Sequence, residues 1–441
     1  MSPASRPRPA PAAVSARKDP MAHAAPPVPD SDATAPAAAP VRGRNAALAF
    51  IFVAVTIDTI AMGITAPVLP LLIKKMGGAA DAGWLNGLFM TVFALMQFLF
   101  SPVLGALSDR YGRRPILLLS IAGLGLSYAG MAMATSIWQL LLIRLFTGAT
   151  SANIATAFAY IADVTPADRR AGAYGLMQAA MSAGFALGPA VGGAFMALGP
   201  SAPFWAAAGF SLINAAYGFF VVPESLSREG RAPFQLKLGS FNAVGMLRSR
   251  QGLLTLAVIL MLAQFATMVF PTAFVLYAND RYRWGTAAIT ACMTSFGICS
   301  FAVQTGLSGR LVRALGEPRV IVIGMLCAVL GTAIFGLAPT GLIFWIGIPI
   351  MTLSGIAGPA IQSIMTRRVS AKEQGRLQGA NTSLQAIAGI VAPLLFGGIY
   401  TLAHGSGGGK AVLGAPFLLA SLILMIGVFL SVQGVRRPAR V

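Results

Sequence analysis

Twelve apolar stretches of about 20 residues or more recur along the 441-residue chain, and they constrain its fold more than any other feature. They cover residues 46–72, 83–104, 115–134, 137–159, 174–197, 203–222, 253–278, 287–308, 319–337, 341–361, 377–401 and 411–434. A helix needs about 20 mostly apolar residues to cross a membrane, and it tolerates internal Gly and Pro. The sequence therefore predicts an all-α polytopic membrane protein with twelve transmembrane helices.

Composition supports a membrane protein, since 56% of the residues are hydrophobic and only 10% are charged. A soluble domain carries about 25% charged residues. The cysteines lie in apolar stretches without a C-x-x-C spacing, and the two histidines lie in a tail and a loop, so we expect neither disulfides nor a metal site. The cysteines are Cys292, Cys299 and Cys327.

The basic residues are distributed unevenly between the two sides of the predicted membrane. If the N-terminus is cytoplasmic, 26 of the 32 Lys and Arg residues fall in cytoplasmic tails and loops and five fall in external loops. Cytoplasmic loops are enriched in Lys and Arg, so we expect both termini in the cytoplasm. The same distribution accounts for the net charge of +19 without a nucleic-acid partner.

A long internal loop at 223–252 divides the spans into two sets of six. The letters L-S-D-R after span two are echoed by L-S-G-R after span eight, 200 residues later. Duplicated halves of this kind can rock about a site near the membrane midplane. We therefore expect pseudo-symmetric six-helix bundles at 45–222 and 253–441, joined by a cytoplasmic linker. Residues 1–44 are rich in Ala and Pro and predict a disordered tail, in which Met21 is an alternative start.

Four ionic side chains fall within six residues between spans two and three, in the sequence G-A-L-S-D-R-Y-G-R-R. Glycine permits close helix approach or a tight turn, and an aspartate can accept charge-assisted hydrogen bonds from arginines or from helix-end N–H groups. The alternative is a solvated basic loop that only sets topology. The residues of this charged motif are Gly105, Asp109, Arg110, Gly112, Arg113 and Arg114.

A glycine-rich motif, G-F-A-L-G-P-A-V-G-G, occupies span five. Its first two glycines are four residues apart, so they share a helix face, and its proline removes a backbone donor and favours a kink. Generic small-residue packing between membrane helices is the alternative. The fixed positions of this glycine motif are Gly184, Gly188, Pro189, Gly192 and Gly193.

Two ionic residues lie inside apolar spans: Asp58 in span one and Arg144 in span four. A charge at the centre of a membrane helix costs at least about 2.5–3.5 kcal/mol on insertion scales, so both are functional candidates. The alternatives are a permanently paired acid at Asp58, and a structural ion pair or a snorkelling side chain at Arg144.

These motifs resemble those of the major facilitator superfamily and, within it, the twelve-span drug:proton antiporters of the tetracycline-exporter subgroup. The charged motif fits the pattern G-x-L-x-D-R-x-G-R-[KR]. The glycine motif fits the antiporter signature G-x-x-x-G-P-x-x-G-G at every fixed position. Arg144 and Gly148 match the arginine and glycine of span four. The resemblance covers residues 46–435 and implies the major facilitator fold.

The resemblance implies a role for each motif. Asp58, nine residues before the turn that starts at Pro67, corresponds to the acid of the exporters and is the expected proton site, with Arg144 facing it. Burial favours a neutral carboxyl whereas a nearby guanidinium favours the ionised one. We expect Asp109 and Arg113 to form a conformational gate by pairing across the cytoplasmic seam between the halves. We expect the glycine motif to act at the interface between the halves.

The chain departs from the tetracycline exporters at three polar positions. An acid of span three is replaced by Ser127, an acid of span nine by Ala328 and a histidine of span eight by Ser300. Tetracycline is usually carried as a metal chelate, so these departures leave the cargo open. Six amide side chains in the spans are weaker candidates for a cargo cavity, with helix-to-helix hydrogen bonds as the alternative. They are Gln97, Asn153, Gln178, Gln264, Asn381 and Gln385.

The expected function is proton-coupled efflux of a drug-like small molecule by a monomer in the bacterial cytoplasmic membrane. The proton gradient supplies the energy, so no cofactor is expected. An uptake carrier of the same fold and an exporter of an unrelated metabolite remain open. The spans contain no paired catalytic carboxylates, no nucleophile with a base and no G-x-x-x-x-G-K-[ST] sequence, which argues against an enzyme and against ATP drive through that motif.

Overall fold

The fold is all-α, as predicted, and it contains twelve helices that are long and apolar enough to cross a membrane. The computed structural model describes residues 41–166, 169–226, 252–370, 373–406 and 409–435, with isolated positions between 229 and 247. The helices are α1 Leu48–Gly77, α2 Ala82–Tyr111, α3 Arg113–Met133, α4 Ile137–Val164, α5 Gly172–Met196, α6 Ala202–Val221, α7 Leu253–Tyr282, α8 Thr286–Leu315, α9 Glu317–Leu337, α10 Gly341–Arg367, α11 Arg376–Gly405 and α12 Val412–Gln433. No strand occurs within the described ranges.

Most of the predicted tail at 1–44 and of the predicted linker at 223–252 lies outside the described residues. Both therefore stay predictions, as does the exact division into two bundles.

Several helices continue past the ends of their apolar stretches. α2 reaches Tyr111 although its apolar stretch ends at residue 104, and α8 reaches Leu315 although its apolar stretch ends at residue 308. The side chains need to be apolar only within the lipid, whereas the backbone hydrogen bonds of a helix can continue in water. Ionic residues that the sequence places in loops therefore lie on helix ends.

Five helices change their backbone geometry within the span, and one of them is α7, which is interrupted by a turn at Met268. α1 is interrupted by a turn around Pro67, and α4 by the buried pair Ser151 and Ala152. α8 contains a π-helical turn at Val303–Leu307, and α10 a 3-10 turn at Ser354–Ile356. Irregular backbone at membrane depth requires burial in protein or a cavity, and π turns are frequent at functional sites.

The helices pack in two sets that meet mainly along two pairs of helices. In the first six helices, α3 packs on α6 and α2 on α4, while in the last six α9 packs on α10 and α12. Separate clusters of buried apolar side chains fill the first and the last six helices. The two sets meet where α2 packs on α11 and where α5 packs on α8.

Hydrogen bonds across this seam lie on the side that carries the α1–α2 loop. Asn86 Nδ2, near the start of α2, donates to the carbonyl oxygen of Thr272 over 2.6 Å. Thr91 Oγ1 donates to the carbonyl oxygen of Ile390 over 2.6 Å. The backbones are also in close contact, since a Cβ on Gly87 would lie 2.3 Å from the carbonyl oxygen of Pro393. The α1–α2 loop side of the seam is therefore closed.

Candidate functional site

Asp58 lies on α1 with 2% of its surface exposed, and two amides hold its carboxylate. Asn153 Nδ2 donates to Oδ2 over 2.7 Å, and Asn214 Nδ2 donates to Oδ1 over 3.2 Å. Asn153 is available because α4 restarts at this residue after its break. The amide of Asn214 also donates to the carbonyl oxygen of Ala54 over 2.9 Å, which fixes α6 against α1.

Arg144 is not in contact with this carboxylate. Its guanidinium lies 4.6 Å from the ring centroid of Phe93, and Nη2 lies 3.7 Å from Met90 Sδ. The buried Nε has no hydrogen-bond partner among the described residues. The structure thus differs from the expected facing pair, because neutral amides occupy both oxygens of Asp58.

Tyr128 on α3 links these two groups electrostatically. Its side chain is 3% exposed, and its phenol is close enough to Asp58 and to Arg144 for both charges to act on it. A hydroxyl can donate or accept, so a phenol in this position can adapt to a change of charge on either side. The buried Asp58 and Tyr128 and the half-buried Arg144 therefore form one polar group inside the first six helices.

The glycine motif packs mainly against α1 rather than against the other set of helices. A Cβ on Gly188 would lie 2.5 Å from Gly63 Cα, and a Cβ on Gly192 would lie 2.4 Å from the carbonyl oxygen of Ile64. A Cβ on Gly184 would overlap the side chain of Thr59, the residue after Asp58. This corrects the expectation that the motif as a whole acts at the seam, because these three glycines set the distance between α1 and α5.

The fourth glycine, Gly193, does face α8 across the seam. A Cβ there would lie 2.7 Å from Thr290 Cγ2. Pro189 lines the central cavity described next. The motif therefore contacts the residue next to the proton candidate, the cavity and the seam through different positions.

A central cavity of about 360 Å³ lies between the two sets of helices. Its wall is mostly apolar and aromatic, and none of the side chains that line it is charged. The polar lining residues are Ser182, Ser300 and Gln304. Gln304 lies in the π-helical turn of α8, and its Nε2 donates to Ser300 Oγ over 3.0 Å. The remaining lining residues are Gly63, Ala66, Met90, Phe185, Pro189, Phe270, Pro271, Val275, Met293, Phe296 and Gly297.

The six amides predicted for a cargo cavity lie elsewhere. Asn153 binds Asp58, Gln97 Nε2 is 3.4 Å from the carbonyl oxygen of Ser151, and the buried Asn381 lies against Met365. None of the six lines the central cavity, and this corrects the prediction. An amide in an apolar span signals burial, but it does not tell which helix face meets the cavity. The other three amides are Gln178, Gln264 and Gln385.

Of the three replaced polar positions, one reaches the cavity. Ser300 lines it, whereas Ser127 Oγ donates to the carbonyl oxygen of Gly123 within its own helix over 2.7 Å. Ala328 is packed in the core of the last six helices.

The charged motif is a helix junction rather than a loop. Gly105, Asp109 and Arg110 belong to α2, and only Gly112, with φ 111°, forms the turn into α3. A left-handed φ of this kind favours glycine. Gly105, the first residue of the motif, has free space beside it, since a Cβ there would meet no atom within 4 Å.

The ionic pairs of this motif stay within the first six helices. Arg113 Nη1 lies 2.5 Å from Asp109 Oδ1, and its Nε lies 3.1 Å from Asp163 Oδ2 at the end of α4. The guanidinium of Arg110 lies over the ring of Tyr111. The expected pairing of Asp109 and Arg113 across the seam is therefore not formed in this conformation, because α2, α3 and α4 supply the partners.

Glu224, just after α6, caps the start of α3. Its Oε1 accepts from the backbone N–H of Arg113 over 2.8 Å, and its Oε2 accepts from that of Arg114 over 3.3 Å. Arg114 Nη2 in turn donates to the carbonyl oxygen of Phe219. Backbone N–H groups at a helix start have no partners within the helix, and a carboxylate satisfies them well.

Sequence reasoning missed Asn214, Tyr128, Gln304 and Glu224. The sequence contained a signal for Asn214 and Gln304, since each is an amide side chain within an apolar stretch. Tyr128 had none, because a tyrosine in a membrane span is common packing.

Comparisons with known proteins agree with the fold and the motifs. The sequence model of the Major Facilitator Superfamily matches residues 51–393. Tetracycline resistance protein, class C, of Escherichia coli is 36% identical over 385 residues, which cover 86% of this chain and 96% of that protein. Multidrug resistance protein 2 of Bacillus subtilis is 29% identical over 391 residues, which cover 87% of this chain and 93% of that protein.

A solved structure has the same fold. It is a bacterial homologue of the human lysosomal transporter Spinster in an inward-facing, unoccupied conformation. It matches with a TM-score of 0.74 at 15% identity, over 90% of this chain and 98% of that one.

Proposed function

The chain belongs to the Major Facilitator Superfamily, and we propose that it exports a hydrophobic, drug-like small molecule in exchange for protons. It is a multi-pass membrane transporter and not an enzyme. The proton gradient drives export by alternating access, without a cofactor, and the monomer is the functional unit.

We place the protein in the bacterial cytoplasmic membrane with both termini in the cytoplasm. The excess of Lys and Arg in the tails and loops on that side supports this orientation. The side that carries the α1–α2 loop is then external, and the closed external seam corresponds to an inward-facing conformation.

The observation that carries the proposal is the burial of Asp58 between two neutral amides. A charge in the middle of a membrane protein is costly unless it is paired, and among the described residues the carboxylate has the two amides and no cationic side chain as partners. An amide can donate to an ionised carboxyl or accept from a protonated one. Asn214 Oδ1 has no partner in the described part of the chain, so it is free to serve the protonated form after the amide turns. The site is thus built for two protonation states.

Protonation can be coupled to transport because Asp58 shares its helix with the cavity wall. Gly63 and Ala66 of α1 line the cavity, and Arg144 contacts Met90 on the same wall. Loss of the proton leaves a negative charge that attracts Arg144, and the hydroxyl of Tyr128, on which both charges act, can reorient with it. Such a movement displaces Met90 and changes the cavity. A proton then binds one cavity shape better than the other, which is what coupling requires.

The cavity supports an apolar, aromatic cargo. Phe185, Phe270 and Phe296 offer ring faces for stacking, and Gln304 with Ser300 offers hydrogen bonds. A cargo carried as a metal chelate brings a positive charge, and no carboxylate lies on this wall. The relatives named for tetracycline resistance favour tetracycline, whereas the cavity favours an uncharged or weakly charged aromatic molecule.

Transport in liposomes that contain the purified protein tests the proposal. Two cargoes are offered separately under an imposed pH gradient: tetracycline together with Mg²⁺, and Hoechst 33342, a weakly basic aromatic dye. We expect wild type to move at least one of them against the direction of proton flow, and Asp58→Asn to lose the part of transport that the gradient drives. Asp81→Asn, which changes an exposed acid at the start of α2, is the matched control.

Three outcomes decide against the proposal. Undiminished gradient-driven transport by Asp58→Asn removes the proton role of this residue. Movement of cargo in the same direction as protons identifies an uptake carrier instead. Transport of tetracycline only with Mg²⁺, and none of Hoechst 33342, contradicts the cargo class.

A further inference from the structure

An ion pair joins the two sets of helices at the external end of the seam. Lys74, in the last turn of α1, contacts the carboxylate of Asp280 near the end of α7. Its Nζ also lies 2.8 Å from Asn279 Oδ1. Lys74 and Asp280 are separated by 206 residues in sequence and belong to different sets of six helices. We refer to Lys74–Asp280 as the external ion pair.

Further groups from α11 converge on Asp280. Tyr400 Oη donates to Asp280 Oδ2 over 2.6 Å, and His404 Nδ1 lies 3.8 Å from the same oxygen. The side chains of Lys74 and Asp280 are 21% and 15% exposed, so solvent screens the pair less than a fully exposed one. Asp280 is thus held in place from its own half before Lys74 binds it, and this lowers the entropy cost of the pair.

The external ion pair closes a seam that small residues bring together. On the same side of the seam, the backbone N–H of Trp84 donates to Thr401 Oγ1 over 2.8 Å. A Cβ on Gly83 would lie 2.7 Å from the carbonyl oxygen of Gly397. These contacts need the two backbones to be adjacent, and they are lost as soon as the external ends separate.

On the cytoplasmic side, the ionic residues of the charged motif bind within their own half, as shown above for Arg113. The external ion pair is therefore an ionic contact that this conformation makes and an outward-open one must break. It borders a polar cavity of about 740 Å³, which gives the separated charges access to solvent and keeps the cost of breaking the pair moderate.

We propose that the external ion pair sets the balance between the closed and the open external side. Lys74 and Asp280 are positioning residues in this role, since neither lines the central cavity. The inference rests on the proposed orientation and on alternating access. It does not depend on Asp58, on proton coupling or on the identity of the cargo.

Distances between spin labels on the two halves test this inference. The labels are attached at Ala79→Cys, in the α1–α2 loop, and at Thr340→Cys, in the α9–α10 loop, both of which are exposed. The native cysteines are first replaced by serine, and this background must purify as a monodisperse protein. Measurements by electron–electron double resonance are made without cargo and without a pH gradient, so a failure of the coupling proposal leaves them unaffected.

Lys74→Gln removes the charge and should raise the ratio of open to closed external distances by about two- to fivefold. Lys74→Arg keeps the charge and should leave the distances as in the parent protein. Lys75→Gln is the matched control, because Lys75 is the next residue and is exposed. An unchanged distribution in Lys74→Gln overturns the inference. So does an equal shift in Lys74→Arg or in Lys75→Gln.

Discussion

Asp58 combines deep burial with hydrogen bonds from two neutral amides, and no cationic side chain in the described ranges contacts its carboxylate. A permanently ionised structural acid would be expected to have a cationic partner in so apolar a place. The unpartnered Nε of Arg144 and the unpartnered Oδ1 of Asn214 point in the same direction, since both can gain partners when the charge on Asp58 changes. This polar group is thus incomplete in this conformation, in the way that a switch between two protonation states requires.

Two glycines from different motifs should respond differently to the same added methyl group. Gly188→Ala places a Cβ within 2.7 Å of the Ile60 carbonyl oxygen as well as against Gly63, so we expect a loss of about 1–3 kcal/mol of stability. Gly105→Ala meets no atom within 4 Å and gains helix propensity, so we expect an unchanged or higher melting temperature.

Thermal unfolding of the two purified variants in detergent, followed by circular dichroism, checks this prediction. Equal melting temperatures for Gly188→Ala and wild type would mean that α1 and α5 are not packed as closely as described.

At the scale of residues, the sequence identified Asp58 and Arg144 because an ionic side chain in an apolar span is conspicuous. It did not identify their partners. Asn153 and Asn214 lie 95 and 156 residues from Asp58, and their contacts depend on how α1, α4 and α6 rotate against one another. Hydrophobic periodicity does not determine that rotation when a helix is apolar on most of its faces.

At the scale of elements, the junction between α2 and α3 depends on a carboxylate from a third helix. Glu224→Ala leaves the N–H groups of Arg113 and Arg114 without their acceptor, and we expect it to destabilise the protein by about 0.5–2 kcal/mol. Asp81→Ala is the matched control, because Asp81 precedes α2 but its side chain makes no capping hydrogen bond.

Melting temperatures measured side by side for these two variants provide the test. A similar decrease in both would show that removal of any acid near a helix start is sufficient, and would reject the capping role of Glu224.

All twelve spans were predictable, because membrane thickness dictates their length and lipid dictates their composition. The charged motif was predicted as an inter-span loop, and most of it is helix. Ionic residues mark the point where a helix emerges from the lipid. They do not end the helix unless a glycine such as Gly112 provides the turn. The break in α4 that presents Asn153 had no signal in the sequence, since Ser151 and Ala152 are not helix breakers.

At the scale of the whole molecule, the two faces of the seam have different chemistry. The external side is closed by the external ion pair and by backbone contacts between small residues. The ionic residues of the charged motif lie on the opposite side, with partners in their own half. The expectation that Asp109 and Arg113 pair across the cytoplasmic seam stays a prediction for an outward-open conformation, since their partners here lie in the first six helices.

The central claim is that cargo and proton act through one buried carboxyl, Asp58. The most direct test is to add the cargo identified in liposomes to purified, cargo-free protein in weakly buffered detergent solution and to record proton release with a pH indicator, at several starting pH values. We predict that wild type releases protons on cargo binding and that Asp58→Asn binds the cargo without releasing any. Equal proton release by both proteins, or none by wild type when cargo binds, would contradict the account.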